Sequence, residues 1–549
     1  MFNRKIIELF ILSLFIEISA NITFAGTGII KVKETHQTMI GFGAAIAYYD
    51  DMLARHTKRD EIYNYIFDDL GLDILRLRNL YRNNPNDFAA YSQMIINKMY
   101  EISPTRPKIL ISSWSPPANI KSNNSVNGGS NATLKKNSST GKYMYGEFGK
   151  YWADALSAYK NFNIEPDYIS IQNEPSYDAT WESCRFEPTE NTTIAGYDRA
   201  LDSVKFAFQQ AGWHPGILAS ECHGIGYNTF QNYANRFNHN IVDGYCFHLY
   251  HGDNGSMSSN NPNPDAFNSN LTAIARTYSD KPIWQTEFDR GDWFQTAWLI
   301  NNCLIFGNVS AYLWWELVWP SGGKPLIQMQ SSNYTITKYY WAFRQFSKYI
   351  YSGWKRATAE TNDDSLRISA FINPEGNKLT VVVINISPAT DKEMDFAIQD
   401  FNVTNGTAIR TSDAQNGSVI DSNYNGMTAM IFPAHSITTL SFSGSTETAV
   451  DKESKKSNGF LLSQNHPNPF NPFTTISYTL AEDAFVTLKI YNVLGKKVRT
   501  LVNSNQKKGE YSFAWNTKDD FNETVSSGIY FYCLETYNMS LQKKMVLLR

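Results

Sequence analysis

The chain contains 549 residues, which is more than one hydrophobic core normally accommodates, so we expect two or three domains. Acidic and basic side chains nearly balance, with 49 Lys and Arg against 52 Asp and Glu. No strongly basic face is therefore expected for neutralising phosphates, and we predict no nucleic-acid partner.

The N-terminus has the pattern of a secretion signal. Residues 3–5 supply a positive start, residues 6–18 are mostly apolar, and residues 23–25 offer a small-residue cleavage site. A membrane anchor is the alternative, but two glutamates interrupt this short apolar stretch. We predict that residues 1–25 are a signal peptide and that the mature protein is soluble and exported.

Between residues 38 and 350, apolar strand patterns alternate with helical patterns about eight times. Eight strand–helix units predict a (β/α)8 TIM barrel of the α/β class. An open doubly wound sheet would need a glycine-rich phosphate loop after its first strand, and the segment Gly41-Phe42-Gly43-Ala44 lacks the third glycine of that loop. The predicted strands are 39–46, 72–78, 108–114, 167–174, 216–221, 242–250, 282–287 and 310–316.

After about residue 350 the helical period ends, and short strand patterns separated by turn residues begin. Residues 351–442 are predicted to form a β-sandwich. Residues 443–459 are polar and show no periodicity, which is typical of a linker. Residues 460–549 contain further strand patterns and are predicted to form a small all-β domain.

The chain has five cysteines, and none forms a Cys-x-x-Cys pair of the kind that binds metals. Cys184 and Cys222 lie just beyond neighbouring predicted strands, so a disulfide between them is one possibility in an oxidising compartment. The other possibility is that the cysteines are buried free thiols.

The predicted strands 167–174 and 282–287 end on the glutamates Glu174 and Glu287. The carboxyl ends of parallel barrel strands meet at one face, so these carboxylates are expected to lie close together. Paired carboxylates are the groups that cleave glycosidic bonds. Aromatic residues make up 14% of the chain, and their faces suit the C–H faces of sugar rings, although most of them should be core.

Several short motifs follow one another along residues 30–445. They are Gly41-Phe42-Gly43, Trp114-Ser115-Pro116-Pro117-Ala118, Lys121-Ser122-Asn123-Asn124-Ser125, Asn173-Glu174-Pro175, Trp181-Glu182-Ser183-Cys184, His248-Leu249-Tyr250, Thr286-Glu287 and Trp314-Trp315. In this order they resemble glycoside hydrolase family 30, most of all its bacterial xylanase branch. The resemblance implies a barrel with a β-sandwich packed on its side, which residues 26–37 join.

The same resemblance implies a retaining hydrolase of β-1,4-xylan that works without a cofactor. Glu174 matches the general acid/base and Glu287 the nucleophile of the family. This division suits the chemistry, because the transition state needs a proton on the leaving oxygen and a negative charge beneath C1.

Further candidate site residues surround the two glutamates. Arg76 ends the second barrel strand and could hold the nucleophile ionised by charge pairing, or be a structural ion pair. Asn173 could bind a sugar 2-hydroxyl, or only form a turn. Tyr250 could donate a hydrogen bond to Glu287, or only line a wall.

Trp114 and Trp315 are expected to form a stacking floor for sugars, with core packing as the alternative. His248 has no second ligand at metal spacing, so we interpret it as a neutral, hydrogen-bonding histidine of the substrate site and predict no metal.

The C-terminus carries a second resemblance. Residues 466–472, His-Pro-Asn-Pro-Phe-Asn-Pro, and the closing residues 544–549 resemble the C-terminal sorting domain of type IX secretion cargo. This implies a bacterium with an outer membrane, type IX secretion machinery as a partner, and a protein that is released or attached at the cell surface. We expect the protein to be a monomer.

The loop after the paired tryptophans bears on substrate choice. Xylanases of this branch that require glucuronic acid side chains typically carry an arginine there, and residues 316–324 contain none. Glu316 is expected to repel a carboxylate, and Lys324 lacks the bidentate fork of arginine, although Lys324 or Arg290 could offset the charge. We therefore predict endo cleavage of xylan without a glucuronic acid requirement.

Two alternatives differ in sugar or in class. The first is a β-1,6-glucanase, or a β-glucosidase or glucosylceramidase-like member of the same family. The second is a noncatalytic polysaccharide-binding protein on a degenerate barrel. The presence of both Glu174 and Glu287 speaks against the second, since a binding protein gains nothing from paired carboxylates.

Overall fold

The computed structural model describes residues 26–81, 88–103, 105–251, 263–446, 461–493, 495–536 and 540–548. The predicted signal peptide and residues 447–459 of the predicted linker lie outside the described residues. The chain divides into two compact units, Met1–Thr446 and Glu447–Arg549. Among the described helices, none is both long enough and apolar enough to cross a membrane.

The first unit is built around a closed barrel of eight parallel strands, as the sequence predicts. Strand β1 (Gly26–Thr38) precedes the barrel and belongs to another sheet. The barrel strands are β2 (Gly41–Ile46), β3 (Ile74–Arg78), β4 (Lys108–Ser112), β5 (Tyr168–Ser170), β6 (Gly216–Cys222), β7 (Gly244–His248), β8 (Ile283–Glu287) and β9 (Val309–Trp314). Strand β5 is shorter than predicted, so Asn173 and Glu174 follow it instead of ending it.

Helices accompany the barrel strands along the chain, and their buried faces pack into the core that surrounds the barrel. They are α1 (Asp50–Arg55), α2 (Arg59–Tyr63), α3 (Ala90–Ile102), α4 (Tyr145–Lys160), α5 (Tyr197–Ala211), α6 (Thr229–Ala234), α7 (Asn268–Thr277), α8 (Trp293–Phe306) and α9 (Lys338–Ser347). A π-helical segment, Asn64–Asp69, continues α2.

The barrel interior changes from apolar to polar along the strands. A buried cluster fills one level with Ile74, Leu110, Leu218, Cys246, Trp284, Ala311 and Leu313. Side chains alternate between the two faces of a strand, so the residue two positions further on points the same way. Those positions carry Arg76, Ser112 and His248, all fully buried. The interior therefore turns polar toward the carboxyl ends of the strands.

The rest of the first unit is a nine-stranded sheet with its own apolar core. Its strands are β1, β13 (Lys355–Thr361), β14 (Leu366–Ile372), β15 (Lys378–Asn385), β16 (Lys392–Gln399), β17 (Phe401–Ser412), β18 (Gln415–Asp421), β19 (Met430–Phe432) and β20 (Ser436–Thr446). Strand β1 pairs antiparallel with β13 and parallel with β16. A small sheet of β10 (Val318–Trp319), β11 (Ile327–Met329) and β12 (Tyr334–Ile336) follows the barrel.

One domain boundary differs from the prediction. We assigned residues 443–446 to the linker, but β20 continues through them. Phe401 pairs with Thr446 and Val403 with Gly444 in the antiparallel ladder with β17. Residues 443–446 are polar or glycine, so they show no apolar strand pattern in the sequence. The ladder is held by backbone hydrogen bonds, which do not depend on that pattern.

The second unit is all β. A three-stranded sheet contains β21 (Leu461–Leu462), β22 (Thr474–Leu480) and β25 (Gly509–Trp515), and a four-stranded sheet contains β23 (Ala484–Asn492), β24 (Lys497–Gln506), β26 (Gly528–Glu535) and β27 (Ser540–Leu547). A core that includes Ile476, Leu488 and Trp515 is shared by the two sheets.

Candidate active site

A cleft of about 330 Å³ opens at the carboxyl ends of the barrel strands. Its lining combines carboxylates, aromatic rings and one arginine. The lining residues are Tyr48, Trp114, Asn173, Glu174, Tyr177, Trp181, His223, Tyr250, Glu287, Asp289, Arg290, Trp315 and Trp319. Six of the eight site residues predicted from the sequence line this cleft, namely Glu174, Glu287, Asn173, Trp114, Tyr250 and Trp315.

The two predicted catalytic glutamates do meet in this cleft. Glu287 is the last residue of β8, and Glu174 lies just beyond β5 with a left-handed backbone angle φ of 48°. This conformation costs a non-glycine residue about 1 kcal/mol, and the hydrogen bond from the Glu174 amide to the Glu221 carbonyl, 3.0 Å long, supports it. One oxygen of each carboxylate lies within 4.8 Å of the other.

The Glu287 carboxylate is held at both oxygens. Nη1 of Arg76 donates to Oε2 at 2.7 Å, and the Tyr250 hydroxyl donates to Oε1 at 3.2 Å. Burial opposes the charge of Arg76, but Glu221 and Glu287 outweigh it and raise the pKa of the guanidinium above its usual range. Arg76 therefore stays protonated and keeps a positive charge beside Glu287.

Glu221 belongs to this network, although the sequence analysis did not select it. It is fully buried in β6, and its Oε1 accepts from Nη2 of Arg76 at 2.9 Å and from the Ser112 hydroxyl at 3.1 Å. Burial alone would raise the pKa of its carboxyl, but Arg76 and His248 reverse this and lower the pKa to about 2. The available signal was its position, because it ends the predicted strand 216–221 on a glutamate.

Opposing influences act on the pKa of the Glu174 carboxyl, which suits a group that both donates and accepts a proton. Burial and the neighbouring Glu287 raise the pKa of its carboxyl, while the hydrogen bond with His248 lowers it. The net pKa is raised above the ordinary value. Nδ1 of His248 lies 3.0 Å from Oε1 of Glu174, and Nε2 of His223 lies 3.8 Å from the same oxygen.

His248 differs from its predicted state. Burial would lower the pKa of its imidazole, but the carboxylates of Glu287, Glu174 and Glu221 raise that pKa to about 9. The ring is therefore an imidazolium at neutral pH, and our interpretation of a neutral histidine was wrong because three carboxylates from other strands surround it. Its side chain is fully buried, so it supports Glu174 from below and does not line the cleft.

Glu174, His248 and Glu287 also present possible ligand atoms within 4.8 Å of one another. An imidazolium has no lone pair to offer a metal ion. Both oxygens of Glu287 already accept hydrogen bonds from Arg76 and Tyr250. This cluster therefore fits acid–base chemistry better than metal binding.

Two other predicted residues take defined positions. Oδ1 of Asn173 accepts from Nη2 of Arg76 at 2.6 Å, so the amide NH2 group is the part of Asn173 that remains for a substrate hydroxyl. Arg76 itself is completely buried and does not line the cleft. It links Asn173, Glu221 and Glu287, and so acts on the substrate only through them.

An aromatic cluster forms one wall of the cleft. The rings of Trp114 and Trp315 lie 5.8 Å apart, and the guanidinium of Arg76 lies 4.7 Å from the Trp114 ring. Tyr48 contacts Trp114, Trp315 and Trp319 edge-on. Tyr48 and Trp319 were not among the residues predicted from the sequence, although Tyr48 lies two residues after β2, at a strand end where site residues gather.

Two sequence interpretations near the site need correction. Glu316 is not a charge on the loop, because it is buried and accepts hydrogen bonds from the amides of Ala47, at 2.9 Å, and Tyr48, at 3.4 Å. Burial raises its pKa well above the ordinary value, which favours the neutral acid. Cys184 and Cys222 form no disulfide and are buried free thiols, which was the other possibility considered.

Parts of the chain are similar in sequence to known proteins. Residues 473–539 match the model of the FlgD Ig-like domain. The chain is 25% identical over 441 residues to glucuronoxylanase XynC of Bacillus subtilis, a match that covers 75% of this chain and 90% of that protein.

Solved structures share the fold of about three quarters of this chain. The catalytic domain of the family 30 xylanase C from Talaromyces cellulolyticus superposes with a TM-score of 0.62 at 20% identity, covering 76% of this chain and 100% of that one. The endo-β-1,6-glucanase BT3312 superposes with a TM-score of 0.57 at 18% identity, covering 76% and 95%. The barrel with its side sandwich therefore has the fold of glycoside hydrolase family 30.

Proposed function

We propose that the protein is a retaining glycoside hydrolase that cleaves β-1,4-xylan. The observation that carries this proposal is the approach of the Glu174 and Glu287 carboxylates to within 4.8 Å in an aromatic-lined cleft. Retaining enzymes place these groups about 5 to 5.5 Å apart, whereas inverting enzymes leave about 6.5 to 9.5 Å for a water molecule. The similarity to a glucuronoxylanase supports xylan as the substrate.

In the first step, a Glu287 oxygen bonds to C1 of the sugar while the glycosidic C–O bond breaks. Glu174 gives its proton to the departing oxygen. Oε1 of Glu174 is engaged by His248, so we assign the transferred proton to Oε2. Arg76 and Tyr250 each donate a hydrogen bond to Glu287 and hold it in place for the attack.

In the second step, Glu174 is a carboxylate and takes a proton from water. The water oxygen bonds to C1, and the bond between C1 and Glu287 breaks. Two inversions give net retention of configuration. The positive charges of Arg76 and His248 lie next to the two carboxylates in both steps, so the site never holds uncompensated negative charge.

We further propose that cleavage does not depend on glucuronic acid side chains. Because Glu316 is buried, the argument no longer includes repulsion from that residue. It rests on the absence of arginine from residues 316–324 and on the ammonium of Lys324, which donates to the Gly291 carbonyl. Arg290 does line the cleft, but Asp289 lies 3.6 Å from it and offsets its charge.

A substrate panel tests these proposals. Reducing sugar release should be highest from unsubstituted xylan, with lower release from β-1,6-glucan and β-1,4-glucan. Preference for β-1,6-glucan would favour the alternative that the glucanase neighbour represents, and release from no substrate would favour a binding protein. Products confined to one fixed glucuronate position, with linear xylo-oligosaccharides left intact, would refute independence from glucuronic acid.

The remaining proposal concerns location. We propose that the signal at residues 1–25 directs export and that the C-terminal β unit, with residues 466–472, acts as a type IX sorting domain. The motif and the all-β fold of this unit support the proposal, and the FlgD Ig-like match describes its architecture. Expression in a type IX-competent host, with and without this unit, tests it by the amount of protein that reaches the cell surface.

A further inference from the structure

Trp181 is an exposed tryptophan at the rim of the cleft. Its side chain is 53% exposed, although tryptophan is usually well covered. It follows Glu174 along the chain and lines the same cleft. The motif that contains it was noted in the sequence, but neither the acid–base chemistry nor the nucleophile network uses it.

The backbone around Trp181 is firmly held. The amide of Gly128 donates to the Trp181 carbonyl at 2.7 Å, and Asn127 forms an antiparallel bridge with Glu182. The Glu182 carboxylate lies 2.8 Å from Nη1 of Arg78. An exposed ring on a well-anchored backbone is a preorganised surface, since little conformational freedom is lost when a ligand binds.

A buried lysine fastens the neighbouring loop. The ammonium of Lys121 donates to the carbonyls of Val126, at 3.0 Å, and Asn127, at 2.8 Å, and also to the carbonyl of Ser183. It therefore joins the loop that carries Gly128 to the segment that carries Trp181. A buried ammonium is costly unless it is hydrogen-bonded, and these three carbonyls satisfy it, so the two segments are held together firmly.

Trp181 also ends a continuous series of rings in contact. Tyr250, which touches the nucleophile, stacks on His223 with centroids 5.0 Å apart. His223 stacks on Tyr177 at 4.3 Å, and Tyr177 contacts Trp181 at 6.0 Å. Burial, together with His251, lowers the pKa of His223 to about 2, so this wall carries no charge.

We propose that Trp181, backed by Tyr177, is the platform that binds the sugar on the leaving-group side of the scissile bond. This inference rests on the proposed hydrolase function. Glu174 protonates the departing oxygen, so the sugar that departs must lie on the side of Glu174. The wall of Trp114 and Trp315 stands instead beside Arg76, which holds the nucleophile, and so faces the sugar whose C1 is attacked.

The platform has a defined kinetic signature. The exposed ring face offers apolar contact to the C–H face of a pyranose. Removing it should lower kcat/KM on polysaccharide and on long oligosaccharides about 10- to 100-fold, which corresponds to ~1.4–2.7 kcal/mol. A disaccharide β-fluoride has no sugar on the leaving-group side, so its turnover should change less than about twofold.

The experiment compares Trp181→Ala, Trp181→Phe and Phe206→Ala with the wild type. Phe206 lies on α5, is 62% exposed and does not line the cleft, so it is a matched control. Each variant is assayed on the polysaccharide that the wild type cleaves and on the β-fluoride of its disaccharide. Turnover of the fluoride also shows that the variant is folded.

The inference is supported if Trp181→Ala loses activity only on polysaccharide, Trp181→Phe keeps most of it, and Phe206→Ala matches the wild type. Equal losses on polysaccharide and fluoride, or no loss on polysaccharide, would overturn the platform while leaving the hydrolase proposal intact. A wild type that cleaves neither kind of substrate refutes the proposed function, and this inference with it.

Discussion

Replacement of His248 by asparagine tests the electrostatic design of the site. Nδ1 of His248 and the amide nitrogen of an asparagine occupy similar positions, so His248→Asn can keep the hydrogen bond to Glu174 and remove the positive charge. A hydrogen bond to a charged group contributes about 1.5–3 kcal/mol, and the charge accounts for roughly half of it. One pKa unit corresponds to about 1.36 kcal/mol. We therefore expect the pKa of Glu174 to rise by about one unit in the variant.

This change has a defined direction in the pH profile. The basic limb of kcat/KM reports loss of the proton from the acid of the free enzyme, which we assign to Glu174. In His248→Asn the basic limb should move to higher pH by about one unit. The assay is the pH dependence of kcat/KM on a soluble xylo-oligosaccharide. A basic limb that stays in place, or moves to lower pH, would contradict the assigned role of His248.

Stability supplies an independent readout of the same residue. A pKa raised from 6.5 to about 9 corresponds to about 3 kcal/mol of folding free energy. Because the folded-state pKa is higher, this contribution is fully present below about pH 6.5 and is lost as the pH rises through about 9. Urea denaturation should therefore show a large difference between wild type and His248→Asn at pH 6 and a small one at pH 10. His56 is a buried histidine outside the cleft, and His56→Asn serves as the control.

Four further predictions address the rest of the site and the domain boundary. Glu287→Gln should abolish formation of the glycosyl-enzyme, measured by mass spectrometry. Glu174→Gln should slow xylan cleavage about 10²- to 10⁴-fold and slow the cleavage of aryl glycosides with good leaving groups much less. Equal losses of Glu174→Gln activity on xylan and on aryl glycosides would reject the assignment. Arg76→Met should cost about 3–5 kcal/mol in urea unfolding, because two buried carboxylates lose their partner. Tyr250→Phe should lower kcat about tenfold with little change in KM. Truncation after Thr446 should leave hydrolysis of soluble xylan within about twofold, and a large loss would disprove independence of the two units.

Much of the fold follows from local pattern. The eight barrel strands were predictable because each is a short apolar run between helical segments, and a closed parallel barrel is an arrangement that buries such strands on both faces. The meeting of Glu174 and Glu287 followed from the same reasoning, since parallel strands present their carboxyl ends at one face. Strand β20 was underestimated because its last residues, 443–446, are polar and are held by backbone pairing.

The charge states of the site were decided only by the tertiary structure. Arg76, Glu221 and His248 come from three different barrel strands, and nothing in their local sequence reports which side chains they meet. A pKa depends on burial and on charges within a few ångströms, so His248 could be identified as a site residue from sequence but not as an imidazolium. For the same reason Glu316, expected as a surface charge, is a buried acid, and the sequence alone could not distinguish the two.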